Sequence, residues 1–264
     1  MTCGVLGIIV WAIVKRGWPA ISWGFFSEQI KLVGADGGIF YNLQGTGILL
    51  VTAFLVSAPA ALALALLHGV YLKPQRRGGL ALMLYILNGV PSILFGIFGM
   101  IVFVQYLDWG KSWLTGGILL GFMILPTVTI ALMERIAAIP RRYTEAAAAL
   151  GLRQSQIIRS VILPQSVGGL VTGSLLGLAR AAGETAPIMF TATIFAGATF
   201  PTGIKESPVL TLPYHIFILA QDSFDPAVGS KLWGTALTLL LLVFLLSLLA
   251  LPARLKLRQP AHHD

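Results

Sequence analysis

Residues 134–165 read ERIAAIPRRYTEAAAALGLRQSQIIRSVILPQ, a polar stretch between two long apolar segments. Pro140 predicts the end of one helix, because proline cannot continue a helical hydrogen-bond pattern. Thr144 is placed to cap the next helix, since its side-chain oxygen can accept a free backbone N–H at a helix start. Glu145 would then lie at the positive end of the helix dipole. Gly151 predicts where this second helix ends.

The second half of the stretch predicts another short helix. It covers 153–162 and ends before Pro164, again because proline lacks a backbone N–H. The pattern therefore indicates two short helices joined by a glycine bend, with small residues on their surface. Taken alone, these residues leave two interpretations open: the stretch lies at the lipid headgroups, or it binds a partner protein.

The segments on either side indicate a membrane protein. The chain is 56% hydrophobic and only 11% charged, whereas soluble domains carry about 25% charged residues. Five segments reach the roughly 20 apolar residues needed to cross a hydrocarbon core. They run over 46–72, 79–107, 112–133, 166–194 and 232–252. The composition predicts an all-α, polytopic protein with about six transmembrane helices in a single domain over 1–264.

The sixth segment, GVLGIIVWAIV at 4–14, is shorter than the others. It lacks the basic n-region of a signal peptide. We interpret it as the end of a shortened first span and expect translation to begin upstream of Met1. The alternative is a short anchor at the membrane interface.

The net charge of +8 does not indicate nucleic-acid binding. Such binding needs a basic stripe on one water-exposed face, but the Lys and Arg residues here lie mostly between apolar runs. They concentrate at 73–77, 135–159 and 254–258, which the positive-inside rule places in the cytoplasm. We therefore expect membrane lipid around the chain, both termini in the cytoplasm, and no nucleic-acid partner.

Six residues of the 134–165 stretch stand at a fixed spacing that resembles the EAA signature of ABC importer permeases. Val161 stands where that family usually has Ile, a conservative departure. The resemblance implies a type I, MetI-like permease architecture in which 134–165 is a cytoplasmic coupling loop that docks on an ATPase subunit. The six residues are Glu145, Ala146, Ala147, Gly151, Leu163 and Pro164.

A later run reads ARAAGETAP over 179–187, and an earlier one reads GVPSI over 89–93. Both resemble, more narrowly, the A-type permeases of phosphate (Pst) importers. The resemblance implies a bacterial inner-membrane subunit that imports phosphate. It also implies three partners: a C-type permease subunit, a cytoplasmic ATPase dimer and an extracytoplasmic phosphate-binding protein. The chain itself would hold no cofactor, because the ATPase binds the ATP.

Arg180 and Glu184 are the only acidic and basic residues inside the predicted spans. Charged groups in a bilayer are costly and usually functional, and a spacing of four places both on one helical face. A guanidinium can bond phosphate oxygens in pairs. A carboxylate can accept a hydrogen bond from the O–H of phosphate, which sulfate lacks, so the pair would favour phosphate. An ion pair that only holds helices together remains the alternative.

Two hydroxyl residues complete the predicted substrate pathway, Ser92 beside the kink that Pro91 predicts, and Thr185 next to Glu184. Gly110-Lys111-Ser112 resembles the end of a phosphate-binding loop, but Gln105 stands where that loop needs its first glycine. No metal cluster or nucleophile–base pattern occurs, so we expect no enzymatic activity. Permeation of another oxyanion, sulfate or molybdate, and an ATPase-independent secondary transporter remain alternatives.

Overall fold

The computed structural model of the chain describes residues 2–31, 36–194, 197, 200–221 and 226–258. Within these ranges the protein is almost entirely helical, apart from a two-stranded hairpin of β1 (Ile30–Lys31) and β2 (Asp36–Gly37). The helices before the coupling loop are α1 (Thr2–Gly17), α2 (Trp23–Ser27), α3 (Phe40–Leu66), α4 (Pro74–Asn88), α5 (Ser92–Gly99) and α6 (Trp113–Ala137). The later helices are α7 (Arg141–Ala149), α8 (Gln154–Ile157), α9 (Leu163–Ala182), α10 (Ala186–Thr191), α11 (Leu212–Gln221) and α12 (Pro226–Arg258). Three π-helical segments adjoin these helices, at Leu67–Tyr71, Met100–Tyr106 and Ile158–Ile162.

The described residues hold several helices long and apolar enough to cross a membrane. Four are single helices, Phe40–Tyr71, Trp113–Ala137, Gln154–Ala182 and Val228–Leu251. A bent pair, Pro74–Asn88 with Ser92–Tyr106, counts as a fifth if it is one span. The multi-pass, all-α prediction is confirmed, and four of the five long segments correspond to these helices.

The segment predicted as one span over 79–107 is a broken pair. The chain bends by 88° between α4 and α5. Pro91 lies in an extended conformation directly before α5, and it has no N–H to continue α4. The sequence therefore predicted the position of the interruption correctly, but it predicted a kinked helix where the structure has two helices.

The first helix, α1, has 16 residues and exceeds the predicted 4–14. At 1.5 Å per residue it extends about 24 Å, less than the roughly 30 Å hydrocarbon core. Most of its apolar residues are exposed. Its end packs closely, because a Cβ at Gly17 would lie 2.8 Å from Cβ of Leu237.

The chain forms two compact units. The first contains Met1–Ala53, Pro91–Leu120 and Arg180–Phe244, and the second contains Phe54–Val90, Gly121–Ala179 and Leu245–Asp264. That the whole chain is one permease domain stays a prediction.

In the first unit, buried polar contacts attach α11 to α3. Thr46 Oγ1 accepts a hydrogen bond from the backbone N–H of Leu212 at 3.0 Å. Asn42 Nδ2 donates to the carbonyl of Thr211 at 3.3 Å. The N–H of Leu212 at the start of α11 has no acceptor within the helix, whereas the carbonyl of Thr211 also accepts from the N–H of His215 at 3.0 Å.

In the second unit, α6 packs against α9 around fully buried Ile124, Val128 and Leu132. The α9 side of this contact carries glycines, so the two backbones approach each other closely.

Candidate functional site

The predicted span at 166–194 is interrupted at the two ionisable residues. Helix α9 ends at Ala182, and a turn follows in which Glu184 N–H donates to the carbonyl of Ala181 at 3.2 Å. Helix α10 then begins after Thr185, with Pro187 in its first turn, a position that proline favours because its missing N–H has no helical partner there.

Arg180 and Glu184 form an ion pair across this break. Arg180 Nε lies 3.7 Å from Glu184 Oε1, and the two side chains are 36% and 17% exposed. The predicted proximity is confirmed, although Glu184 lies just beyond the helix rather than within it. The distance exceeds the roughly 2.7–2.9 Å of a charge-assisted hydrogen bond. Both side chains are partly buried, and the Arg180 side chain is more exposed than that of Glu184.

Helix α5 packs alongside α10, and both run in the same direction. A Cβ added at Gly96 would lie 2.9 Å from the carbonyl oxygen of Ala186, at the start of α10. One added at Gly99 would lie 2.9 Å from Cγ2 of Thr191, at its end. A side chain at Gly96 would push against the backbone of α10, and one at Gly99 would displace the side chains of Leu119 and Thr191.

Because α5 and α10 are parallel, the predicted pathway residues at their starts lie at the same end of the helix pair. Ser92 begins α5 and stands one turn before Gly96, so it lies at the same end of the helix pair as Thr185 and Glu184. The first turn of α5 also has backbone N–H groups without helical partners. Ser92 and Thr185 thus lie at the adjacent starts of α5 and α10, and the Arg180–Glu184 pair directly precedes α10. The role of these four residues in a pathway stays a prediction.

The Gly110-Lys111-Ser112 sequence has a structural role that sequence reasoning missed. Lys111 Nζ donates to the carbonyl of Met189 at 3.1 Å, and the N–H of Ser112 donates to the carbonyl of Thr191 at 3.0 Å. These bonds cap the C-terminal end of α10, where a cation is favourable. The only sign of this role in the sequence was that Lys111 precedes Ser112, which lies directly before α6.

The first helix of the 134–165 stretch starts earlier than predicted. Helix α7 begins at Arg141, directly after Pro140. Thr144 is not its cap, because the Thr144 hydroxyl donates to the carbonyl of Arg141 at 2.8 Å. Pro140 already has the extended conformation that the position before a helix requires. Glu145 therefore lies in the middle of α7 rather than in its first turn.

The end of α7 agrees with the prediction for Gly151. Its φ is +81°, a conformation that glycine adopts without steric cost. The N–H of Gly151 bonds the carbonyl of Ala148 at 2.9 Å, and the N–H of Leu152 bonds that of Ala147 at 3.2 Å. This is a Schellman motif. A Cβ here would meet no atom within 4 Å, so the glycine is required by backbone conformation.

Two neighbours of Gly151 differ sharply in exposure. Ala147 is buried, whereas Leu150 is 83% exposed at the end of α7. Leu150 is therefore an apolar side chain on the surface of a mostly polar loop. Sequence reasoning did not single out Leu150.

The predicted second helix does not end before Pro164. Residues Gln154–Ala182 form one helix, in which the π-helical segment Ile158–Ile162 directly precedes Leu163 and Pro164. A π-helical turn is wider than an α turn and can take up the irregularity that a proline causes. Leu163 and Pro164 consequently lie in the same helix as Arg180.

Comparison with protein families identifies the chain's relatives. Residues 57–253 match the family described as "Binding-protein-dependent transport system inner membrane component". The chain belongs to this family.

Members with curated names cover most of the chain. A protein of Mycobacterium bovis named "Phosphate transport system permease protein PstA 2" is 34% identical over 242 residues, which are 90% of this chain and 77% of the relative. The Yersinia pestis "Phosphate transport system permease protein PstA" is 31% identical over 92% of this chain and 81% of its own length. A chain of the inward-facing MetNI methionine ABC transporter has a TM-score of 0.59 at 17% identity, covering 83% of this chain and 94% of its own.

These likenesses establish what kind of protein this is. The fold is that of a MetI-type ABC importer permease. The chain is a multi-pass membrane component of a binding-protein-dependent transport system and works in a complex with other subunits. Its family is one of transport components, not enzymes. This also decides against an ATPase-independent secondary transporter.

Proposed function

We propose that this chain is the A-type permease subunit of an ATP-driven phosphate importer and forms half of its translocation pathway. The curated relatives carry phosphate permease names over nine-tenths of the chain. The observation that carries the proposal is the Arg180–Glu184 pair, at 3.7 Å, located at the break between α9 and α10.

The chemistry of this pair suits a partly protonated oxyanion. The Arg180 guanidinium keeps its positive charge at all relevant pH values and offers paired donors to phosphate oxygens. Glu184 can accept a hydrogen bond from a phosphate O–H and repels a fully deprotonated sulfate. Ser92 and Thr185 add hydroxyl groups at the adjacent helix ends. A site that bonds a substrate O–H discriminates strongly against an analogue without one.

The coupling loop supplies the contact with the energy source. Helix α7, which carries Glu145, Ala146 and Ala147, would dock on a cytoplasmic ATPase dimer with exposed Leu150 as an apolar contact. Gly151 ends this helix, and Leu163-Pro164 lead into α9. In this arrangement ATP is bound by the ATPase, and this chain needs no cofactor of its own.

The remaining assignments follow from the same proposal. A C-type permease subunit completes the pathway, and an extracytoplasmic phosphate-binding protein delivers the anion. Both termini of this chain lie in the cytoplasm of the bacterial inner membrane, as the Lys and Arg distribution indicates.

The test is uptake by cells that lack their own phosphate importer and carry this transport system. Uptake of phosphate, sulfate and molybdate is measured separately and divided by the amount of this chain in the membrane. We expect uptake of phosphate alone. Saturable uptake of sulfate or molybdate instead of phosphate would contradict the proposal.

A further inference from the structure

Within the second unit, α6 and α9 contact each other through a row of glycines on α9. Gly169, Gly173 and Gly177 are four residues apart and therefore lie on one helical face. A Cβ at Gly177 would lie 3.2 Å from Cβ of Ile124, and one at Gly173 would lie 3.2 Å from Cα of Val128. We call this contact the glycine seam.

The seam has little freedom to slide. Ideal Cβ atoms at Gly169 and Gly173 would lie 2.6 and 2.8 Å from their nearest neighbours, closer than real Cβ atoms come, and one at Gly177 would be tighter than most real Cβ contacts. A shift of α9 by one residue would bring Leu170 or Ser174 toward the positions that Gly169 and Gly173 occupy. Packed interiors at this density resist gradual deformation.

Arg135 lies at the end of the glycine seam that adjoins the coupling loop. Arg135 Nε donates to the carbonyl of Gln165 at 2.8 Å, and a Cβ at Gly169 would lie 2.6 Å from Cβ of Arg135. Arg135 stands in the last turn of α6, and Gln165 directly follows Pro164. This charge-assisted bond therefore joins the two points where the chain enters and leaves the coupling loop.

We infer that α6 and α9 move as one rigid body during transport, with Arg135 as the positioning residue that fastens the coupling loop to it. The inference rests on the proposed function, since it concerns how the loop acts on Arg180. Arg180 follows Gly177 by three residues in α9. A displacement of the coupling loop would therefore displace Arg180 as well, because α9 does not slide along α6.

The first test joins the two helices covalently. In a Cys3→Ser background, the variant Ile124→Cys/Gly177→Cys places two thiols where the Cβ atoms approach to 3.2 Å, slightly closer than the about 3.5–4.5 Å of disulfides. We expect phosphate uptake per inserted molecule to agree within about twofold between oxidised and reduced samples. Loss of uptake on oxidation, with recovery on reduction, would show that the helices slide. Failure of the thiols to cross-link would contradict the seam itself.

The second test leaves the seam intact and removes only the Arg135 donor. Arg135→Met keeps the apolar stem that packs on Gly169, and Arg76→Met is the control, because Arg76 is an exposed arginine of α4. We expect Arg135→Met to lower the phosphate transported per ATP hydrolysed at least threefold, with partial recovery in Arg135→Lys and no change in the control.

The amount of phosphate transported per ATP hydrolysed distinguishes a positioning role of Arg135 from a purely structural one. A purely structural role would lower the amount of inserted protein but not this ratio. An unchanged ratio in Arg135→Met overturns the inference. If the unmodified complex neither takes up phosphate nor hydrolyses ATP in response to it, the proposed function fails instead.

Discussion

The ammonium group of Lys111 bonds the backbone carbonyl of Met189 at 3.1 Å, so a lysine distant in sequence caps the short helix that follows the Arg180–Glu184 pair. Helix α10 has only six residues, and so short a helix is unstable without outside contacts. Its orientation therefore depends on this cap and on the packing of α5.

Replacing that lysine should weaken transport moderately. A cation at a helix C-terminus contributes about 0.3–1 kcal/mol, so Lys111→Met should reduce uptake about two- to fivefold. Lys205→Met is the control, because Lys205 is an exposed lysine of the same unit. Equal uptake by the two variants, at equal amounts in the membrane, would show that the cap is dispensable.

Arg180→Lys should abolish most phosphate uptake although it keeps the charge. An ammonium cannot present the paired, planar donors of a guanidinium, and a loss of at least tenfold is expected. Uptake is divided by membrane-inserted protein. If inserted protein falls while uptake per molecule stays normal, Arg180 acts only as an ion-pair partner.

Glu184→Gln should change selectivity rather than only activity. The amide keeps an acceptor oxygen but removes the charge that repels a fully deprotonated anion. We expect phosphate uptake to fall and sulfate to become a competitor, measured as inhibition of labelled phosphate uptake. Unaltered resistance to sulfate would remove Glu184 from substrate selection.

Gly151→Val should impair coupling because the backbone there has a φ of +81°. A side chain in the left-handed region costs about 1–2 kcal/mol, and β-branched residues fit least well. Gly151→Asn is the control, since asparagine tolerates this conformation. Phosphate-stimulated ATP hydrolysis and uptake should fall together in the valine variant and remain largely intact with asparagine. Equal activities would mean that the Schellman turn does not matter for docking.

Buried His215, in α11, should make the first unit acid-sensitive. Burial, and then the charge of Lys231, lowers the pKa of His215 from 6.5 to about 4. The unfolded state therefore binds more protons between these values, so stability decreases as the pH falls from 6.5 toward 4. The full effect is on the order of 3 kcal/mol. Thermal unfolding in detergent should show this loss, and His215→Asn should flatten it; an equally steep profile in the variant would assign the acid sensitivity to other groups.

The sequence predicted what depends on composition and local conformation. Long apolar runs identified the spanning helices, and Gly151 marked a left-handed helix end because few other residues adopt that backbone. Arg180 and Glu184 were recognisable because charge within an apolar run is costly whatever the surrounding fold.

Features that depend on tertiary contacts were not predictable in the same way. Thr144 is a good capping residue, but Pro140 already starts the helix. Pro164 is a helix breaker in general, yet the π-helical turn before it accommodates it. The sharp bend at Pro91 places α5 against α10 through Gly96, and a single sequence contains no record of that pairing.

The continuity of Gln154–Ala182 through Pro164 has a mechanical consequence. Leu163 and Arg180 are separated by about 25 Å along the axis of this helix at 1.5 Å per residue. Tilting a rod of that length by about 10° about its loop end moves the other end by about 4 Å. Hydrogen bonds weaken severely over far smaller displacements. If Arg180 binds the anion as proposed, a small rotation at the loop end is sufficient to withdraw the guanidinium from it, without any change of rotamer at the site.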